Sequence, residues 1–133
     1  MPFTFDSKPT VILVDDDAPL RAALKFSLEL EGFEVRAYDS GEAMLKAALP
    51  RHDGCLVLDQ VLPGLSGLEA LSVLRSRANR LPALLITSNP GPGLRDAASK
   101  AEAMIVEKPL MGDVLVGCIW ALVNEAREHW RPG

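Results

Sequence analysis

Cys55-Leu-Val-Leu-Asp59, followed by Gln60-Val-Leu-Pro-Gly-Leu-Ser-Gly67, is an apolar run that stops on one carboxylate and then turns. Four consecutive apolar residues read as a strand buried on both faces, so the acid at its end sits at the rim of a sheet and not inside it. Such rims are where open α/β sheets bind ligands. Taken alone, Asp59 is equally a turn residue beside Pro63 and Gly64, because Asp, Pro and Gly all favour turns. The pattern recurs, however: Val11-Ile-Leu-Val14 ends on Asp15-Asp-Asp17, Ala83-Leu-Leu-Ile86 on Thr87-Ser88, and Met104-Ile-Val106 on Glu107-Lys-Pro109. If these runs are parallel strands, their carboxyl ends share one edge and gather carboxylates, a hydroxyl and an ammonium in one place.

The segments between them read as helices. Thr10 to Val14 is the first strand, and Asp17 caps a helix with Pro19 in its first turn, an apolar face of Leu20, Leu24 and Leu28, and a stop at Gly32. Glu34 to Tyr38 alternates polar and apolar, the mark of a half-exposed edge strand. Asp39-x-x-Glu42 is a capping box for a helix from Glu42 to Leu49 that Pro50 closes. Gly54 to Leu58 is the third strand and delivers Asp59. Ser66-x-x-Glu69 is a second capping box, opening a helix through Leu71 and Leu74 to about Ala78. Pro82 opens the fourth strand. Asn89-Pro-Gly-Pro-Gly93 is hostile to helix, so the next helix begins late, near Leu94, and ends by Lys100. Met104 to Val106 is the fifth strand. The last helix, about Asp113 to Glu128, carries one apolar face of Leu115, Cys118, Ile119 and Leu122, and beside it Val116, Trp120 and Val123, expected to turn toward the fourth helix or solvent. Five strands alternating with five helices give an α/β fold, a doubly wound parallel sheet in three α/β/α layers.

A chain of 133 residues fits one domain with a core of its own. Residues 1–9 read as a flexible lead-in, 10–128 as the domain and 129–133 as a tail or the start of a linker. The net charge of −4 argues against direct nucleic-acid binding. No apolar run approaches the ~18 residues of a membrane span, and the amino-terminal residues are not those of a secretory leader, so a cytoplasmic location is expected. Cys55 and Cys118 read as small core residues, not a disulfide or redox pair. No cysteine or histidine shows metal-ligand spacing. His52 and His129 have no evident catalytic partner and are assigned to solvent.

Asp15, Asp16 and Asp59 on neighbouring strand ends would repel one another if all were ionised, and a divalent cation relieves that. Oxygen ligands with room for water suit Mg²⁺. Thr87 and Lys108 would then bind the oxygens of a phosphoryl group, and Asp59, as a nucleophile toward phosphorus, would form an aspartyl phosphate.

Val11-Ile-Leu-Val-Asp-Asp-Asp17, Leu58-Asp-Gln-Val-Leu-Pro-Gly-Leu-Ser-Gly-Leu-Glu69, Ile86-Thr-Ser88 and Glu107-Lys-Pro109 together resemble the receiver domain of response regulators, the bacterial two-component signalling module, over about residues 10 to 128. The resemblance implies a flavodoxin-like sheet of order 2-1-3-4-5. It implies Asp59 as phosphoacceptor, Mg²⁺ on Asp15, Asp16, Asp59 and the main-chain carbonyl of Val61, Thr87 against the phosphoryl group, and Lys108 paired with it. It further implies a sensor histidine kinase or histidine phosphotransfer protein as donor, and no enzyme activity beyond self-phosphotransfer and autodephosphorylation. Output is expected through the face of helix four, strand five and helix five, as a homodimer or partner contact that includes Trp120. Such a domain stands alone or begins a longer regulator with a DNA-binding domain. Two positions depart from the family pattern: Ile105 stands where a Phe or Tyr often swings inward, and Glu102 where Gly is frequent. Three other readings compete. A receiver-like binding module that is never phosphorylated shares every fold feature. An aspartate-nucleophile phosphatase of the haloacid-dehalogenase type would use Asp15-x-Asp17 and leave Asp59 without a role. A flavodoxin would have to place a flavin phosphate against three aspartates.

Overall fold

The computed structural model describes residues 8–110 and 113–131; most of the lead-in and the last two residues of the tail lie outside them. Strands β1 (Thr10–Val14), β2 (Glu34–Tyr38), β3 (Gly54–Asp59), β4 (Ala83–Thr87) and β5 (Ala103–Glu107) alternate with helices α1 (Ala18–Leu30), α2 (Gly41–Lys46), α3 (Gly67–Ser76), α4 (Pro92–Lys100) and α5 (Val114–His129). All pairings are parallel and the sheet order is β2-β1-β3-β4-β5. This is the flavodoxin-like arrangement expected, with β2 at one edge.

Right-handed crossovers then place α1 and α5 on one side and α2, α3 and α4 on the other. Alternation along each strand supplies both layers with apolar side chains. Val11, Leu13, Cys55, Val57, Leu84 and Ile86 pack with Leu28, Leu115, Ile119 and Val123. Ile12, Val14, Leu56, Leu58 and Leu85 pack with Met44, Ala70, Leu71, Leu74 and Ala98. Each such buried aliphatic side chain contributes about 1.5–3 kcal/mol. Both cysteines are free; the fully buried Cys55 thiol is pushed up to about 12 by burial, with Cys118 nearby adding to the shift.

Local chemistry sets the helix ends, and several differ from expectation. In α2 the cap is Ser40, which accepts from the Ala43 amide at 3.0 Å, while Glu42 reaches away to the Leu65 amide at 3.3 Å, so Asp39 and Glu42 form no capping box. That helix also stops at Lys46 and not at Leu49. Arginines from outside take up the carbonyls that end there, Arg77 that of Leu45 at 2.7 Å and Arg36 that of Ala48 at 3.3 Å. The Ser66–Glu69 capping box of α3 is present in both directions. Helix α4 begins at Pro92, two residues before expectation, because proline at the first helical position forgoes only an amide that would be unpaired anyway. Its cap is Gly91, which offers no side-chain hydrogen bond. Leu20, expected in the α1 apolar face, is 37% exposed, and only Leu24 and Leu28 reach the core.

Two close approaches fix the ends of the layers. At Gly67 an added Cβ would lie 2.5 Å from the carbonyl oxygen of Asp59, so the first turn of α3 rests directly on the backbone that carries the acid. At the opposite end, Arg75 donates to the carbonyls of Ala101, Asn79, Leu81 and Glu102 at 2.8–3.1 Å, clasping the ends of α3 and α4 to the starts of β4 and β5. Burial lowers its pKa from the usual arginine value, with Glu102 opposing that shift.

Trp120 is not where the helical pattern suggested. Its ring lies 4.6 Å from that of Phe33, which is buried just past α1, and Val116 packs against the same core. Val123 is fully buried. Helix α5 shares its layer with α1 and not α4, so this second apolar face closes the α1–α5 seam. Trp120 cannot centre a contact on the α4–β5–α5 face. Trp120→Ala is therefore expected to cost about 2–4 kcal/mol through lost packing. Urea denaturation should show a lower midpoint, and a variant changed only in self-association would contradict the assignment.

Candidate functional site

The carboxyl ends of β1, β3, β4 and β5 are locked together by backbone bonds. Gln60 donates to the Ile86 carbonyl at 2.9 Å and Lys108 to the Thr87 carbonyl at 2.9 Å, so the residues after β3 and β5 are registered against β4. Gln60 also holds the start of α3, since its side-chain oxygen accepts from the Leu68 amide at 2.8 Å. In the turn after β1, the Asp15 carboxylate accepts from the Asp17 amide at 2.9 Å and its carbonyl from Arg21 at 2.7 Å. Asp17 caps α1 through the Leu20 amide at 3.1 Å.

These constraints set Asp15, Asp59 and Thr87, all buried, around one cavity of about 590 Å³ that Asp16, Val61 and Lys108 also line. Asp59 Oδ1 accepts from the Val61 amide at 3.2 Å, and Oδ2 is 3.1 Å from Lys108 Nζ. The structure thus brings together every site residue named from the sequence. Sequence reading missed Leu20, Ser88 and Asn89, which complete the wall. The two polar ones directly follow Thr87, and that adjacency is the signal by which they could have been found. Asp17 also borders the cavity, but its Oδ1 is occupied as the helix cap, which weighs against an Asp15-x-Asp17 catalytic pair.

Carboxylate oxygens of Asp15, Asp16 and Asp59 lie within 4.8 Å of one another. Ionised carboxylates at that spacing repel by roughly 3–4 kcal/mol per pair at an effective dielectric of ~20. One ammonium, Lys108, faces them. The Asp15 carboxyl is held above its ordinary value, chiefly by burial and further by the charges of Asp59 and Asp16, against the Asp17 amide and Lys108. Three hard oxygen donors with a charge excess fit a small divalent cation that keeps part of its water shell.

The chain is similar to known proteins over most of its length. The profile of the family described as "Response regulator receiver domain" matches residues 11–119. Over 121 residues the chain is 36% identical to the transcriptional regulatory protein FixJ of Rhizobium meliloti, covering 90% of this chain and 57% of that protein. FixJ of Bradyrhizobium diazoefficiens is 33% identical over 121 residues, with 90% and 59% covered. The chain therefore spans a little over half the length of these curated relatives. Among solved structures, FixJ-N superposes with a TM-score of 0.78 at 33% identity over 96% of this chain and 99% of that one. A CheY-like receiver from Methanospirillum hungatei reaches 0.84 at 21% identity over 93% and 100%, a likeness of fold.

The raised Asp15 value makes a pH prediction. The folded protein holds that proton more tightly than the unfolded chain, whose carboxyl titrates near 4. The stability that the protonated form contributes is complete below that value and is lost as pH rises through the folded one. Asp15→Asn, uncharged throughout, should be more stable than wild type at pH 7 without divalent cations, by roughly 1 kcal/mol or about 3–5 °C in Tm. Thermal scans from pH 7 to 4 should show that advantage shrinking.

Proposed function

We propose, for a chain that belongs to the response regulator receiver domain family, that Asp59 accepts a phosphoryl group from the phosphohistidine of a sensor kinase or a histidine phosphotransfer protein. The observation that carries this reading is the position of Asp59: the last residue of β3, buried, 3.1 Å from Lys108 and within reach of Asp15 and Asp16. An Asp59 carboxylate oxygen attacks phosphorus, the P–N bond breaks, and its electron pair leaves with the donor imidazole. Hydrolysis of the acyl phosphate by water restores the carboxylate, so the domain turns over only itself.

Mg²⁺ would be held by Asp15, Asp16, Asp59 and the carbonyl of Val61. When bound it would supply positive charge against the phosphoryl oxygens. Lys108 gives up its ion pair with Asp59 and follows the charge onto a phosphoryl oxygen. Because its amide is bonded to the Thr87 carbonyl, that movement reaches both strand ends at once. Thr87 supplies a hydroxyl donor from the buried end of β4. Output is assigned to the face of α4, β5 and α5, where Met104 is exposed and Arg95 pairs with Glu107 at 2.8 Å. Among the described residues no helix is long and apolar enough to cross a membrane, and a cytoplasmic location is part of this proposal.

Intact mass after treatment with acetyl phosphate and Mg²⁺ should show one added, hydroxylamine-labile phosphoryl group in wild type and none in Asp59→Asn. A folded wild type that takes up none would favour a receiver-like binding module instead. Asp16→Ala should remain folded and lose at least tenfold in Mg²⁺ affinity by calorimetric titration, since it removes one of few ligands. Lys108→Ala should still be phosphorylated in part, while the phosphorylation-dependent shifts of backbone amides in β5 disappear; wild-type shifts would remove Lys108 from the coupling.

A further inference from the structure

Residues 61–66 form a short loop between Asp59 and α3, closed at its base by the Gly67 amide on the Gln60 carbonyl at 3.1 Å. Both flanks of the loop are held locally. Val61 donates its amide to Asp59 Oδ1 at 3.2 Å, and Ser66 donates its own to Glu69 Oε1 at 2.9 Å. The tip is held from elsewhere. Among the described residues, the main chain of 62–65 makes one hydrogen bond, from the Leu65 amide to Glu42 Oε2 at 3.3 Å. Glu42 belongs to the first turn of α2, 23 residues earlier in the chain.

Two glycines permit that reach. At Gly41 an added Cβ would lie 3.0 Å from the Ala70 Cβ and 3.6 Å from that of Leu65, so the start of α2 sits flush against the start of α3. Gly64 has a φ of +75°, which side chains rarely adopt, and its bare Cα faces the Glu42 carboxylate, into which an added Cβ would run. An acid in the first turn of a helix has an ordinary explanation, that it complements the positive amino end of the helix dipole. That role is met equally well with the side chain turned to open solvent or back on its own cap. Here Ser40 caps α2 by itself, and the Glu42 carboxylate crosses to the loop. Glu42 is an exposed residue, so the contact adds little to the stability of the fold.

We infer, on the reading that Val61 offers its carbonyl to Mg²⁺, that Glu42 is a positioning residue for the metal site: by pinning the loop tip it keeps that carbonyl in place before the ion arrives. Three residues separate Val61 from the pinned Leu65. One is Pro63, whose ring fixes a backbone angle, and another is Leu62, partly buried against the layer of α2, α3 and α4, so little play is left between the two ends. A main-chain ligand is re-aimed only by moving its loop, not by changing a rotamer. An ion that demands near-ideal octahedral geometry therefore binds in proportion to the time the loop spends in the competent position.

The test is Mg²⁺ titration of the whole chain by calorimetry at constant ionic strength, with amide relaxation measured on the metal-free protein. Glu42→Ala should stay folded, show greater mobility at residues 61–65 and lose roughly fivefold in Mg²⁺ affinity, as for a loop in place about one-fifth of the time. Glu42→Gln lacks the charge but keeps an oxygen that accepts from Leu65, so it should bind Mg²⁺ within about twofold of wild type. Arg36→Gln releases the chain beyond the other end of α2, at Ala48, and should leave the affinity unchanged, which separates loop position from helix stability. Equal Mg²⁺ affinity in wild type and Glu42→Ala, unchanged loop mobility in that variant, equal losses in the Ala and Gln variants, or a matching loss in Arg36→Gln would each overturn the role of Glu42 while leaving the metal site standing. A wild type that binds no Mg²⁺ would remove the metal site itself and this role with it.

Discussion

Three carboxylates held within 4.8 Å, with one ammonium against them, set the terms for this domain. The arrangement is unfavourable in itself. It persists because the groups sit at the ends of strands whose interiors are among the most deeply buried parts of the chain, and the two apolar layers hold those strands in register whatever the rim prefers. The single lysine is positioned by the same backbone that positions the acids. Under the proposed function, the hold on a cation and the response to charge added at Asp59 both follow from this one constraint.

How much of this is legible in the sequence follows from which interactions are local. Runs such as Val11 to Val14 and Cys55 to Leu58 announce buried strands, and in a parallel sheet the residue after each run has only one place to go, so the pattern of apolar runs by itself gathers Asp15, Asp59, Thr87 and Lys108. The Ser66–Glu69 box is legible for the same reason: both halves lie within one turn. Expectations fail where a distant residue decides. Helix α2 ends early where Arg77, from another element, takes up the Leu45 carbonyl and Arg36 holds the extended chain beyond it at Ala48. The fate of Trp120 requires knowing which helices share a layer. Strand order and right-handed crossovers separate α5 from α4, but helical periodicity alone cannot supply that.

Ile105 bears on how a change at the rim travels. It packs, partly buried, against the layer of α2, α3 and α4, and as a β-branched side chain it has little rotameric freedom and no ring to turn. Under the proposed function, the route from Asp59 therefore runs through backbone: Lys108 to the Thr87 carbonyl on one side, and Gln60 to the first turn of α3 on the other. On that second side there is no slack, because Gly67 already rests against the Asp59 carbonyl.

The clasp made by Arg75 gives helix α4 two unlike ends. Its carboxyl end is pinned, with the Ala101 and Glu102 carbonyls both bound to one partly buried guanidinium. Its amino end follows Gly91, has no side-chain cap, and leaves both Gly91 and Gly93 with open space around them. A rod clasped at one end, and held near the other by the exposed Arg95–Glu107 pair, turns more readily about the clasped end. The looser end is the one next to Asn89 and the Asp59 cavity, so under the proposed function a displacement of a fraction of an ångström there would become a change of angle along the whole helix, with the outer face of α4 as the pointer of a gauge whose pivot is a single arginine.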